Sequence, residues 1–402
     1  MCKDIKATLS INNTEIEQAK KLVEAKIVSL RNKTPNVKYN HTQLAEVEIN
    51  KFFYDSQIID RVMIVLRANG CEHYKKDGGC SMCSHFNGTD REAKITTNDY
   101  IKQWDSVIKG EFSKEKFNLN EYPVICVYNL GSLLNENEIS GEAVRYIFNS
   151  LNKFEGIKKV IIESRAEYVT NDSIKNISEI YNKGIVEVGI GVESTNKVIR
   201  EVCHHKGIDD LYIIKNSVQI LHSHKFKALA YINFKPIFLT ENEAIEDAIK
   251  TAIDCFNLGF DAVSIEPTSL QDYSLANHLF QLGQYRVPWL WSVREVVDGI
   301  YKKMNNTKLD IRLGGYFDEE VLSGSQGVGY ELKNEIFPHM TSLNCDKCSN
   351  DFINCIKNFN MTYDINELYK VKNCDVCYNV WEDIINIKDS RNIVERVKNI
   401  LG

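Results

Sequence analysis

Cys71, Cys80 and Cys83 stand close together in the run RANGCEHYKKDGGCSMCSHF. Three thiolates on one loop can hold a [4Fe-4S] cluster and leave one of its irons open. Four cysteines would fill every corner and make an electron carrier; three leave a position where an exogenous ligand can bind. Gly70, Gly78 and Gly79 supply the permissive backbone that wrapping a cluster needs. The loop follows DRVMIVLRANG, whose apolar stretch 62–66 reads as a buried parallel strand, so the cysteines are expected at a strand's carboxyl end. Two other readings stand beside this one: a zinc knuckle completed by His73 or His85, and cysteines that lie close without a shared role.

A second group, Cys345, Cys348, Cys355, Cys374 and Cys377, crowds into HMTSLNCDKCSNDFINC and VKNCDVCYNVW. The C-x-x-C pairs Cys345/Cys348 and Cys374/Cys377 match two knuckles donating four thiolates to one tetrahedral Zn2+. A second iron-sulfur cluster, with Cys355 as a spare ligand, is the alternative. Eight of the 12 cysteines fall in these two groups, and in a reducing compartment metal binding explains them better than disulfides. Cys126 and Cys255 read as packed apolar residues.

With 402 residues, 43% of them hydrophobic, the chain can bury one large core or two. No run approaches the roughly twenty apolar residues of a membrane span, and MCKDIKATLS lacks an apolar signal region, so a cytoplasmic protein with no membrane contact is expected. A formal net charge of -6 argues against a wholly basic surface, but nucleic-acid binding depends on local patches. Residues 1–40 carry eight cations (Lys3, Lys6, Lys20, Lys21, Lys26, Arg31, Lys33, Lys38) against four acids. They form either such a patch or the solvated face of a helix.

The elements that must position the cysteines alternate in type. After a helix at about 15–31, strands are expected at 62–66, 123–128, 159–163, 186–191, 227–233 and 262–266. Amphipathic runs such as TTNDYIKQWDSVIKGEF, SGEAVRYIFNSLNKF, TNDSIKNISEIYNKG and TENEAIEDAIKTAIDCFNLG lie between them, several opened by a capping Ser or Thr. This predicts an α/β fold with a partial (β/α)6 barrel, an open doubly wound sheet being the second choice. Three parts follow: an N-terminal helical extension (1–58), the barrel (59–335) and a small Cys-rich metal-binding module (336–402).

Six segments, in order, resemble signatures of radical S-adenosylmethionine (radical SAM) enzymes, and within them the archaeosine synthase radical subunit, itself a relative of the Elongator catalytic subunit. They are GCSMC, YNLGSLLNENEI, ESRAEYV, VGIGVES, YINFKPIFLTENEAIEDA and VPWLWSVREV. The resemblance spans residues 67–381 and implies a partial radical-SAM barrel. It further implies that the open iron is chelated by the methionine end of S-adenosylmethionine, whose reductive cleavage yields a 5′-deoxyadenosyl radical.

It also assigns roles. Gly131 and Ser132 resemble the turn that receives the methionine amine, unless they form a plain strand-end turn. Glu163 and Arg165 are expected to bind ribose hydroxyls and the methionine carboxylate, or else to form a structural salt bridge. Glu193, after the glycines Gly189 and Gly191, is expected to bond cofactor or substrate unless it is a solvated strand-end carboxylate, and Lys235 to lie near adenosine or substrate unless it is a surface lysine. Trp289 and Trp291 either stack on a nucleobase or sit in the core; His204 and His205 read as loop residues open to substrate. The segment GYELKNEIFPHM, ahead of the metal module, could help to hold substrate.

The function so implied is carbon-nitrogen bond cleavage in a lysine-modified deazaguanine of tRNA. Its expected partners are tRNA, a reductant protein such as a flavodoxin or ferredoxin, and a lysine-transferring tRNA-modification enzyme. The alternatives are a radical enzyme acting on a peptide or small metabolite, and a non-enzymatic zinc-bearing RNA-binding scaffold.

Overall fold

A computed structural model describes residues 11–112, 117–305, 309–316, 319–324 and 342–402. Runs that are apolar at nearly every position become strands buried on both faces. Nine strands make one sheet in the order β8-β7-β6-β5-β4-β3-β2-β1-β9. They are β1 (Glu46–Tyr54), β2 (Gln57–Val65), β3 (Val124–Tyr128), β4 (Lys159–Ser164), β5 (Ile185–Gly191), β6 (Lys227–Phe234), β7 (Ala262–Pro267), β8 (Ile311–Leu313) and β9 (Glu319–Gly324). All pairings from β2 to β8 are parallel, whereas β1 joins β2 and β9 antiparallel. The six expected strands are thus β2 to β7, and β1, β8 and β9 extend the sheet beyond them.

The connections are helical, and local chemistry starts and stops them. Thr96, Ser140, Thr170 and Thr240 cap the helices Thr97–Lys109, Gly141–Leu151, Asn171–Ser178 and Glu241–Leu258. Gly110 and Gly259 close the first and last of these in the left-handed conformation.

The sheet is rolled into a partial barrel. In a flat sheet β8 and β1 would lie seven spacings of about 4.8 Å apart. Instead the Arg312 guanidinium on β8 lies 5.5 Å from the Phe52 ring centroid on β1. Within the roll, Arg312 Nη1 and Lys159 Nζ donate to the two oxygens of Glu187, each at 2.6 Å. Burial opposes ionisation of Glu187, but the two cations outweigh it and hold the carboxyl down at about 2. A depressed carboxylate contributes stability above its ordinary value of 4.5, and that contribution fades as pH falls through about 2. Glu187→Ala strips Lys159 of its partner and leaves Arg312 only Asp310. The expected cost is about 3–5 kcal/mol in urea unfolding at neutral pH; a loss under about 1 kcal/mol would show that the network is not held in solution.

The chain ends buttress this barrel. Helix α1 (Asn13–Arg31) opens on a capping box between Asn12 and Glu15. Its charges are not all outward: Arg31 is 4% exposed, and Lys20 donates to Glu201 at 2.9 Å. The surplus cations of residues 1–40 are therefore not one solvated patch, and Lys3 and Lys6 lie outside the described residues. At the other end, the Asn360 side chain of helix Ser349–Thr362 bonds both the amide and the carbonyl of Leu313, at 2.9 and 2.7 Å. Arg396 ties the last helix, Ile393–Leu401, to Glu243 at 2.6 and 2.9 Å.

Candidate active site

A cavity of about 510 Å³ runs through the barrel interior, from Arg61, Ile161 and Leu229 to the loops at the strands' carboxyl ends, within the usual size range of small-molecule sites. Cys71, Cys80, Cys83, Gly131, Ser132, Glu163, Arg165 and Glu193 all line it. Residues read separately along 120-odd positions of sequence are brought to one space because each ends or follows a parallel strand or belongs to the loop after β2.

The cysteine loop is fastened from three directions. The Ser81 amide donates to His204 O and its hydroxyl to Cys203 O; His205 Nδ1 meets Gly79 O at 2.9 Å. Ser84 bonds Gln271 and Asp272, and Arg31 of α1 bonds carbonyls of the loop itself. His204 and His205 are consequently buried, at 0% and 2% exposure, and not open to substrate as expected. Withdrawal from water pushes the Cys71 thiol up to about 11 and Cys83 up to about 12. Metal ligation there must displace protons that the fold holds on sulfur.

After β3, the NLGS turn is locked onto the start of the cysteine loop by Glu138. One of its oxygens accepts the Ser132 amide at 2.6 Å and the other the Glu72 amide at 2.9 Å. A Cβ at Gly131 would meet Glu138 Oε2 at 2.0 Å and Cys71 Cα at 3.4 Å, so only glycine permits this contact. Ser132 also accepts the Arg165 amide through its hydroxyl, at 3.1 Å.

Glu163 and Arg165 do not pair with each other. Arg165 Nε donates to Glu167 at 2.5 Å and Nη2 to Lys206 O at 2.7 Å. Burial pushes the Glu163 carboxyl up to about 7, the nearby Tyr231 hydroxyl opposing and Glu266 adding to the shift. Glu193 holds a positive φ of 60°, a costly conformation for a residue with a side chain, and accepts Lys206 Nζ at 2.7 Å. A Cβ at Gly191 would lie 2.3 Å from that ammonium, so the glycine makes room for the pair. The space at Gly189 is likewise taken by the Tyr231 ring.

Lys235 is placed elsewhere. Its ammonium is buried against Glu241 at 3.1 Å and Arg286 O at 2.5 Å, outside the cavity lining. Trp289 and Trp291 are core residues: Trp291 packs edge-on to Phe352 and Tyr378, and Arg286 covers Trp289 at 3.7 Å. Residues 329–340, GYELKNEIFPHM, lie outside the described residues. Lys206, Tyr231, Glu266 and Glu138 belong to the site but were not singled out in sequence. Tyr231 and Glu266 carry a local signal, sharing the inward parity of Asn233 along β6 and of Ser264 along β7.

Residues 345–377 build a second centre. The sulfurs of Cys345, Cys348, Cys374 and Cys377 all lie within 4.8 Å of one another. Closest approaches are 3.8 Å for Cys345/Cys348, 3.7 Å for Cys345/Cys374 and 3.6 Å for Cys348/Cys377. A tetrahedron with metal-sulfur bonds of about 2.3 Å has edges of about 3.8 Å. Trp291 Nε1 donates to Cys377 Sγ at 3.3 Å, and amides of Val376 and Cys377 hold the Cys374 thiol down at about 7. Cys355 is outside this quartet, and Cys126 and Cys255 are fully buried among apolar neighbours.

Sequence comparison places these features. The chain is 33% identical over 384 residues to an uncharacterised protein of Methanocaldococcus jannaschii, covering 96% of each. It is 29% identical over 328 residues to archaeosine synthase subunit beta of Thermococcus kodakarensis, covering 81% of this chain and 91% of that one. The chain belongs to the same family as the Methanocaldococcus jannaschii protein and is similar to archaeosine synthase subunit beta. No protein-family model matches it. Among solved structures, the archaeal Methanocaldococcus infernus Elp3 is 14% identical, with a TM-score of 0.40 over 54% of this chain and 51% of its own.

The cavity lining fits the pair that the sequence resemblance implies, S-adenosylmethionine and an iron-sulfur cluster. The three loop thiols share one open space, and they are spread too widely to be a single-ion site: among the described residues only the C-terminal quartet gathers its ligand atoms within 4.8 Å. Both ring nitrogens of His73 are engaged, by His205 O and Asp77, whereas His85 lines the cavity with the thiols.

Proposed function

We propose that Cys71, Cys80 and Cys83 hold the cluster, that Gly131, Ser132, Glu163, Arg165 and Glu193 contact S-adenosylmethionine, and that the enzyme cleaves a carbon-nitrogen bond in a lysine-modified deazaguanine of tRNA. With both groups bound, the site supplies a 5′-deoxyadenosyl radical. The protein's part is to orient the cofactor, keep water away from the reactive carbon and present the substrate's C–H bond.

The relationship to archaeosine synthase subunit beta over four-fifths of the chain carries this reading. The cavity supports it in a second way. Glu163 and Glu266 place carboxylates in the same enclosed space, a setting suited to the amine of a lysine-derived group. Lys206, drawn onto Glu193, leaves those two acids without a direct ion pair among the described residues. The name of the relatives, a subunit, supports a partner protein that supplies the lysine adduct. A flavodoxin or ferredoxin would supply the electron, and the setting would be cytoplasmic. Among the described residues no helix is long and apolar enough to cross a membrane. In the same reading residues 336–402 form a structural Zn2+ module, supported by the 3.6–3.8 Å sulfur spacing.

Comparison of tRNA nucleosides from cells with and without the gene tests the substrate: loss of the amidine-bearing base is expected, and an unchanged profile would turn the reading to a peptide or small metabolite. Affinity for tRNA should fall about 10-fold or more between about 50 and about 200 mM salt, because phosphate contacts release counterions. A flat salt profile in a filter-binding titration would remove tRNA as the substrate.

A further inference from the structure

Arg31 is the last residue of α1, far in sequence from every barrel signature, yet its guanidinium is spent on the cysteine loop. Nε donates to Gly78 O at 2.9 Å, and Nη2 to Cys80 O at 2.9 Å and Cys83 O at 2.8 Å. Nη1 donates to Tyr273 O at 2.5 Å, on the segment that also bonds Ser84 and Asn87 through Asp272. The Phe86 ring lies 4.0 Å away and covers the planar group. Arg31 is 4% exposed and forms no ion pair among the described residues. Four carbonyls accept from four of the five guanidinium N–H groups but carry no net charge, and a buried cation without a counter-charge is costly. The anionic groups that this site can acquire are the thiolates of the loop that Arg31 holds.

We infer that Arg31 is a positioning residue for the metal centre: it holds the Cys80–Cys83 turn in ligating shape, and its charge is balanced by the thiolate-bound cluster. This rests on the proposed ligand trio. Two functions are separable. The fork geometry shapes the loop, and lysine cannot reproduce four directed bonds. The charge favours the more negative, reduced state of the cluster, and lysine can retain it.

The test uses full-length Arg31→Lys and Arg31→Met beside wild type. In metal-free protein, amide exchange at residues 78–86 should quicken in both variants while the strands keep wild-type protection. After anaerobic reconstitution, both should lose iron to a chelator about 10- to 100-fold faster. The cluster midpoint potential should shift negative in Arg31→Met and stay near wild type in Arg31→Lys, a split that a purely structural role would not produce. Wild-type potential and iron retention in Arg31→Met would overturn the inference. Should that variant take up no cluster, unchanged exchange at residues 78–86 in both metal-free variants would overturn it instead. A wild-type protein that itself holds no iron-sulfur cluster would defeat the ligand trio, and this inference with it.

Discussion

Cys71→Ala, reconstituted anaerobically, should fail to keep an intact cluster and should release 5′-deoxyadenosine more than about 100-fold more slowly than wild type. Changes to groups that merely support a ligand cost about 10- to 100-fold in metal affinity or activity, and here a ligand itself is removed. The effect should be confined to the site. Cys71 is only partly buried and makes no disulfide, so the metal-free variant should unfold within about 0.5 kcal/mol of wild type, as expected for a side chain outside the packed core. Cys80→Ala and Cys83→Ala should behave alike, because each thiol lines the same cavity. Iron and sulfide counted per chain, together with 5′-deoxyadenosine after reduction, measure the result. A full cluster with undiminished cofactor cleavage in Cys71→Ala would remove that residue from the trio.

The second large effect belongs to the other end of the chain. Cys348→Ala or Cys374→Ala should abolish metal binding by the C-terminal module and lower its stability while leaving cluster loading at the barrel intact. Helices Ser349–Thr362 and Tyr378–Ile385 begin at Cys348 and Cys377, and neither residue offers a side-chain capping bond. Their amino termini are therefore joined through sulfur, and a bound cation draws four thiolates together while the helix dipoles favour the negative charge. Structural Zn2+ contributes about 10–16 kcal/mol in isolated finger peptides at neutral pH. Trp291 and Trp381 report the event, since one donates to Cys377 and the other to Ser292 at the module's contact with the barrel. Their fluorescence should lose its cooperative transition in the variants and after chelation of wild type. Loss of the barrel cluster in Cys348→Ala would contradict two independent centres.

Much of this architecture was legible because it is local. Buried parallel strands announce themselves as apolar runs, and capping residues such as Thr96 and Thr240 mark helix starts within a few positions of chain. The short spacings of both cysteine groups confine each to one small region whatever the rest of the molecule does. The strands that escaped notice lacked such signals. β8 has three residues, and β1 reads EVEINKFFY, whose alternation over residues 46–50 breaks at Lys51 and Phe53 and whose Glu48 and Asn50 are buried, so no continuous apolar run marks it.

Contacts made only when the sheet rolls up were invisible by the same logic. As a member of a basic segment Arg31 resembles Lys33; the docking of α1 on the cysteine loop makes it a buried clamp. Lys235 stands at a strand end just as Glu163 and Glu193 do, but Glu241 lies within reach and draws its ammonium into the wall. Lys206, between two histidines and a glycine, enters the site because Gly191 leaves it a path to Glu193. Chain order and residue type determined which strands and metal loops exist, since those depend on neighbours a few residues apart. Which charged groups face the cavity was decided by the curl of the barrel, because an ion pair forms with whatever partner the closed fold brings within about 3 Å.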